Sequence, residues 1–278
     1  MRIDAHQHFW QIERGDYGWI TKDMVPLYRD YLPGDLLPEL YRHHIDGTVL
    51  IQAASTYAET EYMLDLYWRN SFIKGVVGWI DLDSPEFDQD FQRLKDRKGL
   101  VGFRPILESV ERELEMDSPR VLKNIETLVQ EDFPIDLLLV PRLLPLVLKL
   151  LKRFPTLRGV VNHAAKPYIK EEIFDPWREQ IAEIASYSNT MCKLSGFITE
   201  ADENWEQSDI EPYIHHVINV FGYESIMYGS DWPVCNMAGS YQDVYQVLVD
   251  SLPNNLSEAD KEKLFGGNAI KFYKNLRG

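Results

Sequence analysis

Short apolar or β-branched runs recur along the whole chain, and each is followed by a longer stretch with apolar residues at helical spacing. Strands are read at Arg2 to Phe9, Gly47 to Ala53, Lys74 to Ile80, Leu100 to Pro105, Pro134 to Val140, Gly159 to Ala164, Thr190 to Gly196 and Ser225 to Asp231. Helices are read at Asp35 to His44, Ala58 to Ser71, Glu86 to Lys95, Pro119 to Glu131, Pro141 to Phe154, Glu171 to Tyr187, Asp209 to Phe221 and Tyr241 to Ser251. That makes eight consecutive strand–helix units with no Gly/Ser-rich linker between them. Runs such as Val76-Val77-Gly78-Trp79-Ile80 and Gly159-Val160-Val161 are nearly continuously apolar, as parallel strands covered on both faces must be. Closure at eight strands fills the interior with side chains, so the expected architecture is α/β, a single (β/α)8 barrel over residues 1–278. An open doubly wound sheet is the structural alternative. A final helix, Ser257 to Leu276, opens on a serine N-cap with acids in its first turn and is expected to close the bottom or side of the barrel.

The partner class follows from charge. The chain has 29 Lys and Arg against 44 Asp and Glu, a formal charge of −15. Neutralising phosphates needs a basic face, so neither nucleic acid nor an anionic membrane surface is expected, and a small molecule is the expected kind of ligand. The most apolar run, Ile135 to Leu151, is interrupted by Asp136, Arg142 and Lys149 and does not suit a membrane span. Only Cys192 and Cys235 could form a disulfide, and Met1 opens into a strand-like segment with no basic or apolar leader, which reads as a reduced, cytoplasmic protein. A homo-oligomer is left open.

In such a barrel the chemistry sits at the carboxyl ends of the strands. The first strand carries Asp4-Ala5-His6-Gln7-His8, where His6 and His8, two apart, project together as a divalent-metal chelate does, or as a hydrogen-bonded pair in the barrel mouth. The eighth ends Tyr228-Gly229-Ser230-Asp231-Trp232-Pro233, and closure alone sets Asp231 beside the first strand as metal ligand, general base or both. The sixth ends Asn162-His163-Ala164-Ala165-Lys166-Pro167, giving a third inward imidazole, His163, and a rim cation, Lys166. Arg104 ends the fourth strand, where its fork suits a carboxylate or vicinal hydroxyls, with a salt bridge to Asp81 as the rival account. Gln52 closes the second strand and is read as orienting a substrate hydroxyl. Trp10, Trp79 and Trp232 are read as substrate-binding, within a group of aromatics that also holds Tyr17, Trp19 and Trp205 near the strand tops. His43-His44 and His215-His216 are placed on helix surfaces, and Glu200-Ala201-Asp202-Glu203 on a solvated rim.

With these residues in place, the chain resembles the amidohydrolase superfamily, and more closely its metal-dependent hydrolase branch with sugar lactonases such as L-fuconolactonase and L-rhamnonolactonase. The likeness runs end to end. It rests on Asp4-Ala5-His6-Gln7-His8-Phe9-Trp10, Gly102-Phe103-Arg104, Asn162-His163-Ala164-Ala165-Lys166-Pro167 and Gly229-Ser230-Asp231-Trp232-Pro233. It implies a distorted barrel with His6, His8, His163 and Asp231 around a reactive water. Two departures stand out: the fifth strand has no histidine, and the fourth offers Arg104 where many binuclear members use a carbamylated lysine. One divalent metal, zinc first, is therefore expected on His6, His8 and Asp231, or none at all. The leading expectation is hydrolysis of a sugar-acid lactone, with Asp231 and His163 catalytic and Arg104 and Lys166 on the substrate. The alternatives are a zinc-dependent decarboxylase of the same superfamily and a catalytically silent ligand-binding barrel.

Overall fold

A computed structural model describes residues 1–105 and 118–278 of the chain. Its eight strands are β1 (Ile3–Gln7), β2 (Gly47–Ile51), β3 (Ile73–Gly78), β4 (Leu100–Phe103), β5 (Ile135–Leu137), β6 (Gly159–Val161), β7 (Thr190–Leu194) and β8 (Ile226–Tyr228). They are ordered β1 to β8 in one sheet, each parallel to the next. A parallel bridge between Gln7 and Trp232 and the bond from His8 N to Trp232 O, 2.7 Å, join the last unit to the first. The fold is a (β/α)8 barrel, and register shifts within the β1–β2, β2–β3 and β3–β4 pairs give it an irregular wall.

The helices following the strands are α1 (Pro33–Arg42), α2 (Tyr57–Arg69), α3 (Phe87–Leu94), α4 (Pro119–Gln130), α5 (Leu144–Arg153), α6 (Trp177–Ala185), α7 (Gln207–Phe221) and α8 (Tyr241–Asp250). Thr56, Ser118 and Ser240 cap α2, α4 and α8 with their hydroxyls, which satisfies amides that a helix start leaves open. The apolar stripes of the helices and the outer sheet face share one core, including Leu36, Phe91, Leu144, Trp177, Ile214 and Val244. A second cluster, with Ile3, Val49, Val77, Val160, Met191 and Met227, fills the lower barrel from inside.

The structure differs from the sequence reading at two helices and one histidine that bear on the packing, besides strand ends that fall short of their ranges. The sixth helix starts at Trp177, not Glu171, because Pro176 has no amide to donate and biases Asp175 away from helical backbone. The long terminal helix is divided into α9 (Glu258–Glu262), a π turn at Lys263–Gly267 and α10 (Asn268–Phe272). The break lies at Gly266, where a Cβ would stand 2.3 Å from Met1 O, so a side chain there would push the closing segment off β1. Ser257 does cap α9, and Ala269, Phe272 and Tyr273 of the closing segment join the inner cluster. His43, expected at the surface, is buried, its ring 5.2 Å from Tyr241 and 4.5 Å from Tyr245 of α8. Among the described residues no helix is long and apolar enough to cross a membrane.

Candidate active site

Barrel closure brings the polar strand ends together. Asp231 N donates to His6 O at 2.8 Å, and its side chain enters a cluster of three imidazoles. Asp231 Oδ1 lies 3.6, 3.3 and 3.7 Å from the Nε2 atoms of His6, His8 and His163, and the Nε2 atoms of His6 and His8 are 3.2 Å apart. All four side chains are buried.

Local backbone aims two of them. Strand β6 ends at Val161, sooner than its apolar pattern implied, and His163 to Lys166 then adopt left-handed backbone with φ of 52°, 49°, 62° and 50°. L-residues usually visit that region singly and at a cost of about 1–2 kcal/mol each. Here the turn swings His163 under the mouth of the barrel and Lys166 to its rim. Trp177 of α6 donates its indole N–H to Ala164 O at 2.7 Å and anchors the turn. Asp231 has the same backbone, φ 56°.

Two cations face the cluster. Arg104 Nη1 lies 3.3 Å from His6 Nε2, and its Nη2 donates to the carbonyl and side-chain oxygens of Gln52. Gln52 returns its amide to Arg104 O at 2.9 Å. Gln52, read from sequence as a substrate contact, is thus committed to holding the guanidinium. The second cation was not foreseen: Lys193 of β7, fully buried, sits 2.5 Å from Asp136 of β5 and 3.3 Å from His6 Nδ1. Asp136 also accepts from Asn162 Nδ2 at 3.0 Å and Tyr273 OH at 2.6 Å. An isolated lysine in an otherwise apolar strand, Thr190-Met191-Cys192-Lys193-Leu194, was the available signal.

Electrostatics follow from the burial. Desolvation holds His6 well below its usual range, the Lys193 charge adding to this, and it lowers His8 as well. His163 is pushed down to about 3 by burial, against the pull of Asp231. Burial alone would raise Asp231, but His163, His8 and Arg104 bring its carboxyl below the ordinary value. The cluster is therefore one carboxylate among neutral imidazoles at neutral pH.

The cavity above has a volume of about 350 Å³ and is lined by His8, Arg104, His163, Lys166 and Asp231, with Trp19 and Glu200 on its walls. The three tryptophans expected at the substrate lie elsewhere. Trp10 is fully buried and donates to Arg29 O at 2.9 Å, Trp79 packs on Tyr57, and Trp232 packs on Tyr31 and Phe9. Among the described residues Trp19 is the tryptophan of the cavity wall, and Glu200 belongs to that wall and not to a solvated rim. Loop conformation decides both placements, and residue type alone does not show it.

The donor set suits one divalent cation. His6, His163 and Asp231 each offer a ligand atom within 4.8 Å of one another, a group that has His163 where the sequence reading had His8. His8 Nδ1 lies 2.8 Å from Ile51 O, the carbonyl contact that leaves the Nε2 lone pair free to ligate. Arg104 and Lys193, both 3.3 Å from His6 nitrogens, are fixed positive charges that oppose such an ion.

Comparison with known proteins gives the family of the chain. An L-fucono-1,5-lactonase of Burkholderia ambifaria is 37% identical over 276 residues, 98% of this chain and 95% of that protein. An L-fucono-1,5-lactonase of Burkholderia multivorans is 34% identical, covering 98% and 96%. The crystal structure of a Burkholderia multivorans amidohydrolase with bound zinc superimposes with a TM-score of 0.91 at 34% identity, over 98% of this chain and 99% of that one. The amidohydrolase family matches residues 3–274, and the chain belongs to that family.

Proposed function

We propose that the protein hydrolyses a small cyclic ester, a lactone of a sugar acid, at the carboxyl end of the barrel. The observation that carries the reading is a single buried carboxylate among neutral imidazoles, faced by fixed cations at the floor of a cavity sized for a small molecule. The names of the two lactonase relatives support it and make L-fucono-1,5-lactone the first substrate to try.

Asp231 takes a proton from water, and the hydroxide oxygen bonds to the lactone carbonyl carbon. Arg104, His163 and Lys166 surround the oxygen that gains negative charge, each aimed into the cavity. The ring C–O bond then breaks, and the leaving alkoxide recovers the proton from Asp231, so that lactone and water become a hydroxy acid. A zinc ion held by the His6, His8, His163 and Asp231 donors would supply Lewis acidity toward water or carbonyl.

Proton release is to be assayed against aldono-1,4- and aldono-1,5-lactones, with and without chelator. Acid release well above the spontaneous rate on at least one sugar lactone is the expected result. A rate no faster than the enzyme-free control across the panel rejects the reading, and the chelator arm shows whether a metal contributes.

A glycine gives a second check. Gly196 has φ +69°, and a Cβ there would stand 2.7 Å from His163 Nδ1, whose hydroxyl partner Ser195 Oγ is 2.9 Å away. Gly196→Ala must move the imidazole. Turnover is expected to fall about 100-fold, the cost of a misplacement of about 1 Å, while the protein stays folded by circular dichroism. Unchanged kcat would remove His163 from the reaction.

A further inference from the structure

Trp19 lines the cavity beside Arg104, His163 and Asp231, yet it keeps 40% of its surface exposed. An exposed indole in a long loop would ordinarily be free to turn. This one is pinned. Its Nε1–H donates to Ala53 O at 2.8 Å, and its ring meets Trp10 edge-on, with centroids 5.7 Å apart and planes at 82°. The acceptor is fixed as well, because the amides of Ala53 and Ala54 donate to the two carboxylate oxygens of the buried Glu59 at 2.9 and 2.8 Å. With its N–H spent on the protein, the indole has only its π face and edge left to offer a ligand.

An aromatic face attracts the C–H bonds of a ring, most strongly where neighbouring hydroxyls polarise them, and it does so with little ordering cost when the side chain is already held. We infer that Trp19 is the specificity-determining residue of the cavity, a preset platform against which the ring of a polyhydroxylated lactone stacks. The inference rests on the lactonase reading and deepens it. It assigns the preference for sugar lactones over plain lactone rings to one side chain outside the reacting cluster.

The test compares wild type, Trp19→Phe and Trp19→Leu on an aldonolactone that the wild type opens and on δ-valerolactone, which has no hydroxyls. Trp19→Leu is expected to raise KM for the aldonolactone about tenfold with kcat within about twofold, and to leave KM for δ-valerolactone nearly unchanged. Trp19→Phe, which retains a face, is expected to stay within about threefold of wild type. Equal losses on both substrates, or none on either, overturn the inference and leave the lactonase reading standing. Tryptophan fluorescence titrated with L-fuconate gives a binding readout independent of turnover. A ligand-induced change lost in Trp19→Leu supports the platform even if no lactone is opened, which would fail the lactonase reading alone. No change in the wild type overturns the platform.

Discussion

Asp231→Asn is expected to lower kcat by about 10²- to 10⁴-fold, the range that a positioned general base contributes. The substitution keeps the shape, and asparagine tolerates the left-handed backbone that residue 231 adopts at φ 56°, so the fold should survive. What it removes is the carboxylate that lies 3.6, 3.3 and 3.7 Å from the imidazole Nε2 atoms of His6, His8 and His163. Because those neighbours hold its carboxyl below the ordinary range, Asp231 is ionised throughout the neutral region, and the loss should be similar at each pH from about 6 to 9. Steady-state rates on the best substrate, with circular dichroism as the control for folding, decide the matter. A folded variant with near wild-type kcat assigns the proton elsewhere, with His163 next to be tested.

Lys193→Met is expected to destabilise the protein by about 3–5 kcal/mol, the cost of leaving one member of a buried pair without its partner. Lys193 and Asp136 are both fully inaccessible, 2.5 Å apart, so no water can take over when the ammonium is removed. For a chain of this size that is a fall of about 10 °C in Tm. The double variant Lys193→Met/Asp136→Asn should recover much of the loss, because a neutral side chain can still accept from Tyr273 and carries no uncompensated charge. Thermal melts of the two variants make the comparison. Equal destabilisation in both would mean that lysine packing, and not the ion pair, carries the effect.

The barrel was legible because its signal is repeated and local: eight apolar runs, each too short for a helix, alternate with helical stripes, and closure then sets residues 6, 8 and 231 side by side. His163 and Arg104 were found by the same logic of strand ends. The Lys193–Asp136 pair was not, since it joins β5 to β7 across the barrel interior, and nothing in either segment names the other. The substrate tryptophans were misplaced for a related reason. Trp10 and Trp19 lie in one loop, and which of them is buried depends on bonds to Arg29 and Ala53 that no periodicity records. His43 was read from its own helix, whereas its burial comes from Tyr241 and Tyr245 some 200 residues later.

The contact from Tyr273 OH to Asp136 has a consequence for biosynthesis. Tyr273 follows every strand of the barrel, and through Asp136 and Lys193 it reaches the far side of the His6 ring. On a ribosome that emits the chain from its amino end, His6 is among the first residues to emerge, and the tyrosine that completes its support arrives only after β8 and α9. A nascent chain that has emerged as far as α8 therefore carries His6, His8, His163 and Asp231, and an Asp136 still lacking one of its donors. The segment that carries Tyr273, last in the chain, supplies that donor when it packs under the barrel.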